Sequence, residues 1–204
     1  LEKQCDIAMS SRDIKDKEVE AAKKNGVNPQ RTAIAVDAIV PVVNPANPVS
    51  GLTVEQLRDI YTGKITNWKD LGGANAKIVV ISRDTSSGTF ECWEEMVMKK
   101  QRVSPAALMQ ASNGAVVQAV SKNKNAIGYI GLGYVDKSTK GLTVNKVTAN
   151  AQTALSKQWP IARELFIFTN GAPAGSVKDF VDYLLDPGKG QKNVLEVGYV
   201  PLAK

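Results

Sequence analysis

Apolar and polar positions fall in blocks whose period switches between two and 3.6 residues, which predicts strands interleaved with helices and hence an α/β protein. Residues 5–9 read as a short buried strand, and residues 16–24 as a polar helix stopped by Asn25-Gly26. Residues 32–43 are dense in Ile and Val and predict a strand covered on both faces, ended by Asn44-Pro45-Ala46-Asn47-Pro48. Thr53-Val54-Glu55-Gln56 is a capping box, so a helix starts there, runs to Tyr61 and stops at Gly63. A helical turn over 66–71, closed by Gly72-Gly73, precedes a strand over 78–82 and a helix over 89–100.

Ser104-Pro105 sets a cap before a proline suited to a first helical turn, and predicts another helix. A helix over 115–122 and a strand over 126–130 follow, the latter running into Gly131 and Gly133. Residues 137–160 carry weaker periodicity, with a strand near 142–147, and 165–169 form an unbroken apolar strand. Ser176-x-x-Asp179 opens the most amphipathic helix, with Val177, Phe180, Val181 and Leu184 at i, i+3, i+4 and i+7. Asp186-Pro187 starts a last helix. No internal repeat or low-complexity tract interrupts the pattern.

Composition narrows the chemistry. At 204 residues, 43% hydrophobic and 23% charged, the chain is long enough to bury a core as one large or two small domains. It has no His, which excludes Ser-His-Asp and Cys-His triads and His-bearing metal sites. Two Cys, at 5 and 92, cannot form a four-thiolate zinc site, and either a bridge or two separate thiols is compatible with them. No calcium-loop pattern occurs, so neither a metal nor a cofactor is expected. No apolar run is long enough to insert in a bilayer.

The formal charge of +6 comes from Lys residues spread along the chain, and aromatics are only 6%, so a solvated surface is expected rather than a nucleic-acid partner. The chain opens on Leu1, close to the first strand, and is expected to be a processed or truncated product whose targeting segment is already gone.

The chemistry concentrates in loops between strands and helices. Arg83-Asp84-Thr85-Ser86-Ser87-Gly88-Thr89 joins a buried strand to a helix, an arrangement that aims the free N–H groups of the first helical turn beyond the strand end. Gly88 permits close approach of a ligand, Ser87 and Thr89 add hydroxyls, and Arg83 offers a fork suited to two oxygens of a tetrahedral oxyanion. Asp84 is placed to hold that guanidinium. Taken alone the hydroxyls read as helix caps; Arg83 beside them points to an anion site. Ser10-Ser11-Arg12 repeats the pairing of hydroxyls with one Arg, and Ser112-Asn113-Gly114 opens a third helix. Taken alone the last of these reads as a cap; because open α/β sheets bind ligands at the carboxyl ends of their strands, the three loops could converge on one ligand, which the sequence by itself does not prove.

Four segments resemble the phosphate-binding proteins of phosphate ABC importers, within the two-lobed periplasmic solute-binding superfamily. They are Asp6-Ile7-Ala8-Met9-Ser10-Ser11-Arg12, the run from Leu52 to Trp68 with its Ile60-Tyr61-Thr62-Gly63 core, Arg83-x-x-x-Ser87-Gly88-Thr89-Phe90, and Ala126-Ile127-Gly128-Tyr129-Ile130. Gly198-Tyr199-Val200-Pro201-Leu202 is similar too, so the likeness spans the chain in order.

The resemblance implies a central mixed sheet in each lobe and a cleft between, with residues 1–44 plus 160–204 in one lobe and 45–159 in the other. The hinge would lie near Val43-Asn44-Pro45 and Trp159-Pro160. Phosphate would be held by hydrogen bonds alone, from Ser10, Ser11, Arg12, Arg83, Ser87, Gly88 and Thr89, with Ser86, Ser112, Asn113 and Gly114 as secondary candidates. The implied partner is an importer's membrane permease, and the implied location is the periplasm or outer face of the cell membrane, by a lipid anchor or free.

Two departures stand out. Ser11 occupies the position where many members carry an Asp that accepts the proton of hydrogen phosphate, and a hydroxyl cannot repel sulfate as a carboxylate does. The chain also begins after the family's usual first strand, loop and helix. Losing about three charge-assisted bonds at roughly 1.5–3 kcal/mol each would turn a micromolar binder into a millimolar or weaker one. Weak binding by the chain alone and an exposed sheet edge are therefore expected. The same lobes binding another oxyanion or acting as a sensor is an alternative. A Ser-dependent hydrolase is a remoter one, lacking a G-x-S-x-G elbow, an S-x-x-K pair and a His base.

Overall fold

The computed structural model describes residues 5–202. In chain order the elements are β1 (Ile7–Ser10), α1 (Asp16–Lys24), β2 (Pro29–Val43), β3 (Gly51–Leu52), α2 (Val54–Thr62), β4 (Val79–Arg83), α3 (Gly88–Trp93), β5 (Leu108–Gln110), α4 (Asn113–Ser121), β6 (Ala126–Gly131), β7 (Lys140–Gly141), β8 (Thr143–Val144), α5 (Ala151–Leu155), β9 (Ala162–Asn170), α6 (Gly175–Leu185) and α7 (Gly190–Glu196). Short 3₁₀ turns occupy Trp68–Leu71 and Leu132–Tyr134, and a π-helical turn occupies Glu94–Met98. The chain divides into two compact units, one of residues 1–37 with 163–204 and one of residues 38–162, so the divisions fall at 37/38 and 162/163 where the sequence placed them at 44/45 and 159/160.

In the first unit β1 pairs antiparallel with β9, from Ile7 opposite Thr169 to Ser10 opposite Phe166. Phe166, Ile167, Val181, Val200, Ala35 and Val36 supply its buried core. Gln191 fastens α7 to that core: its amide donates to the carbonyls of Ile34 and Leu184 and its oxygen accepts from Leu202 N at 2.7 Å.

In the second unit β6 is the organising strand, with all six residues buried. It pairs antiparallel with the second half of β2 and parallel with β4, which in turn pairs parallel with β5. Helix α4 lies on β6 so closely that a Cβ at Gly128 would stand 2.6 Å from Val116 Cγ1. On the sheet Trp93 stacks on Tyr129 with centroids 4.2 Å apart, and Tyr61 tilts against both.

Helix α2 starts on the expected box, with Gln56 N donating to Thr53 Oγ1 and Thr53 N to Gln56 Oε1, and ends on Gly63 at φ 84°. Elsewhere the pattern misled. Ser104 and Pro105 form a turn, not a helix: Ala107 N returns to Ser104 O, and the chain goes straight into β5, because pairing with β4 outweighs the local cap. The helix expected over 89–100 is α3 followed by the π-helical turn, closed by Lys99 and Lys100 at positive φ. Helix α6 begins one residue before Ser176 with Ala174 at its cap position and no side-chain cap, and Phe180, read as a core position, is 48% exposed. The last helix starts at Gly190 rather than Pro187, since Asp186 makes a turn by accepting from Gly188 N. Helix α5, capped by Asn150, lies where no helix was expected.

Candidate anion-binding site

Parallel pairing of β4 with β5 sets Arg83 opposite Gln110, at the carboxyl ends of both strands. The chain turns from β4 into α3 and from β5 into α4, so two helix N-termini begin just beyond Arg83. The Arg83 side chain is 10% exposed and is held by three uncharged acceptors: Nε donates to Gln110 O at 3.2 Å, Nη2 to Ala111 O at 3.2 Å, and Nη1 to Asn113 Oδ1 at 3.0 Å. A guanidinium has five N–H donors. Two of them, one on each terminal nitrogen, therefore have no acceptor among the described residues.

Asp84 plays a smaller part than its position suggested. Its Oδ2 makes only a long ion pair with Arg83 Nη2, at 3.9 Å, while Oδ1 accepts from Ser86 Oγ and Ser86 N. The Ser86 hydroxyl is the first cause of a pKa below the usual carboxylate value. Behind the guanidinium, Tyr129 Oη accepts from Arg83 N at 3.1 Å and lies 3.0 Å from Ser82 Oγ. Burial, the largest influence, pushes the Tyr129 phenol up, so it stays neutral. Neither Tyr129 nor Gln110 was among the site residues expected from the sequence. The signal for Tyr129 was a phenol inside an apolar strand, which demands a buried partner.

The other expected residues divide. Ser87 and Ser112 are caps: Phe90 N donates to Ser87 Oγ at 3.4 Å and Ala115 N to Ser112 Oγ at 3.1 Å. Gly88 opens α3 exposed and Thr89 is half-buried beside it; Gly114 is exposed in the first turn of α4. Arg83, Ser112, Asn113 and Gly114 are thus drawn together by side-chain contact and chain continuity, with Ser86, Ser87, Gly88 and Thr89 in the turn that follows Arg83.

In the first unit, Ser10 Oγ donates to Arg12 O at 2.6 Å and accepts from Arg12 N. Arg12 makes a two-pronged contact with Glu18, at 2.9 and 2.8 Å, and donates to Asp13 O. That two-pronged contact is the main reason the Glu18 carboxyl is pulled down to about 2, so an acceptor unnoticed in the sequence holds Arg12. Ser11 is half-buried between Ser10 and Arg12. A cavity of about 570 Å³ adjoins the loop, lined by Ala8, Met9, Ser10, Arg12, Glu18 and Val177 among others.

A buried guanidinium held at the mouth of parallel strands, beside two helix starts, is the arrangement in which an α/β domain can receive an anion. Comparison with known proteins agrees. Residues 1–187 match the PBP superfamily domain. The Borreliella burgdorferi phosphate-binding protein PstS is 34% identical over 95% of this chain and 71% of its own length. Protein SphX of Synechococcus elongatus is 33% identical over 97% of this chain, which spans only 63% of that relative.

Among solved structures, an ABC-type phosphate transport receptor from Vibrio cholerae superposes with TM-score 0.83 at 34% identity, covering 96% of this chain and 79% of that one. A structure from Clostridium perfringens with bound phosphate gives TM-score 0.77 at 36% identity, covering 97% and 79%. The chain belongs to the PBP superfamily and, within it, to the family of the phosphate-binding protein PstS.

Proposed function

We propose that this protein captures inorganic phosphate outside the cytoplasm and delivers it to the membrane permease of an ABC importer. It binds its ligand and does not transform it. The observation that carries the reading is the Arg83 cage, whose remaining N–H donors match two oxygens of a tetrahedral anion. The turn into α3 adds the Gly88 and Thr89 amides and the hydroxyls of Ser86, Ser87 and Thr89, and the start of α4 adds Gly114. The names of its relatives, and the phosphate bound in one of them, support this ligand. Among the described residues no helix is long and apolar enough to cross a membrane.

Transport requires that anion binding change the molecule's shape, and movement of two α/β lobes about their crossover segments provides that change. The permease then recognises the liganded form. Ser11, where many members of the family carry an Asp, offers no carboxylate to repel a fully deprotonated oxyanion such as sulfate.

Thermal unfolding in phosphate, sulfate, molybdate and citrate tests the reading. An anion at 100 times its dissociation constant adds about 2.7 kcal/mol. Phosphate is expected to give the largest shift, removed by Arg83→Gln. A larger shift with another oxyanion moves the assignment to that ligand, and equal behaviour of wild type and Arg83→Gln removes the site.

A further inference from the structure

We infer that Asn113 is a specificity-determining partner of Arg83, whose neutrality reserves the guanidinium charge for the ligand. The inference rests on the phosphate reading above. Arg83 has only donors, so the Asn113 atom 3.0 Å from Nη1 is the carbonyl Oδ1. That bond fixes which way the amide faces. Nδ2 stands on its other branch, 3.8 Å from where a Cβ on residue 131 would lie, so Gly131 leaves it room. No acceptor for Nδ2 is found among the described residues.

The choice of Asn runs against what stability alone favours. Residue 113 is the first of the nine residues of α4, where a negative charge interacts well with the helix dipole. It also touches a guanidinium, with which a carboxylate of the same shape would form an ion pair. Asp satisfies both demands better than Asn. What Asp at 113 would remove is charge: Gln110 O, Ala111 O and Asn113 Oδ1 hold Arg83 in place without neutralising it, and its ion pair with the half-buried Asp84 is long, Oδ2 standing 3.9 Å from Nη2 while Oδ1 accepts from Ser86. An incoming oxyanion then supplies the negative charge that the cage withholds. Asn113 acts through Arg83, as a positioning residue that also sets the charge of the site.

The full chain and its Asn113→Asp, Asn113→Ala, Asn113→Ser and Arg83→Gln variants are titrated with inorganic phosphate by calorimetry, and their melting temperatures are measured without ligand. Asn113→Asp is expected to melt at or above the wild-type temperature while its dissociation constant rises about tenfold or more, with the introduced carboxyl titrating below its ordinary value in NMR. Asn113→Ser, a neutral acceptor, is expected to bind far closer to wild type than Asn113→Asp. Equal weakening in Asn113→Asp and Asn113→Ala, with a lowered melting temperature in both, assigns the loss to packing and overturns the inference. So does wild-type affinity in Asn113→Asp when Arg83→Gln has lost binding. The titrations run to tens of millimolar phosphate, because this chain is expected to bind weakly; a wild type still unsaturated at about 50 mM, or Arg83→Gln binding as well as wild type, overturns the phosphate reading itself.

Discussion

Asp37 Oδ2 lies 3.7 Å from Arg163 Nε, with both side chains 7% exposed. These are the residues at which the chain leaves the first unit and re-enters it. Burial pushes the Asp37 carboxyl from 3.8 up to about 6, and the attraction of Arg163 only partly offsets this. The folded protein therefore binds the Asp37 proton more tightly than the unfolded chain does. The stability from this group is fully present below about pH 4 and is lost as pH rises towards 6. A shift of this size corresponds to about 3 kcal/mol. Urea unfolding of wild type and Asp37→Asn from pH 4 to 8 reads it: the difference between them changes by a few kcal/mol across that window and is flat above it. A constant difference contradicts the assignment.

Tyr129→Phe removes the acceptor of Arg83 N and the partner of Ser82 Oγ while leaving the stack on Trp93 intact. A buried donor left without a partner costs about 1–3 kcal/mol. Denaturant midpoints are expected to fall accordingly, with phosphate affinity falling as well because Arg83 loses a backbone anchor.

Gly128→Ala is expected to destabilise through overpacking. The new Cβ meets Val116 at 2.6 Å and Val120 at 3.0 Å, both on the helix that carries Asn113. A cost of about 1–3 kcal/mol follows, and Val116→Ala in the same chain is expected to restore part of it.

Ser112→Ala deletes the acceptor of Ala115 N at the start of α4 and is expected to cost about 1 kcal/mol; Ser112→Asp is expected to recover it. Melting temperatures of the three proteins decide the point. Loss of phosphate binding in Ser112→Ala beyond that stability change would show that the hydroxyl also touches the anion.

The thiols respond differently to a colorimetric reagent. Cys5 is exposed, Cys92 is fully buried, and the two are not bridged. One thiol is expected to react promptly in the native protein and the second only on unfolding. Two prompt equivalents would mean that the packing around Trp93 opens readily.

Much of the architecture was legible because local chemistry and tertiary need agreed. The run from Thr32 to Val43 is apolar on both faces and its second half is covered on both, and Thr53 with Gln56 and Gly63 states both ends of α2. The site was legible as a set of loops: Arg83, Ser87 and Ser112 stand where the residue types placed them. Its connections were not. Arg83 and Asn113 are thirty positions apart, and nothing local tells a guanidinium to prefer Gln110 O, Ala111 O and Asn113 Oδ1 over the adjacent Asp84. Glu18 as the holder of Arg12 was equally silent, since a Glu in a first helical turn reads as dipole chemistry.

What the sequence determined by itself was periodicity, capping and inventory: which stretches alternate, where helices can start, and that no His exists to do chemistry. These follow from interactions within a few residues, and composition reads them directly. Tertiary structure alone decided that Ser104-Pro105 would form a turn leading into β5, that Phe180 would face solvent, and that Asp37 would share a buried contact with Arg163. Each is a competition between partners distant along the chain, and only the closed backbone brings those competitors within reach of one another.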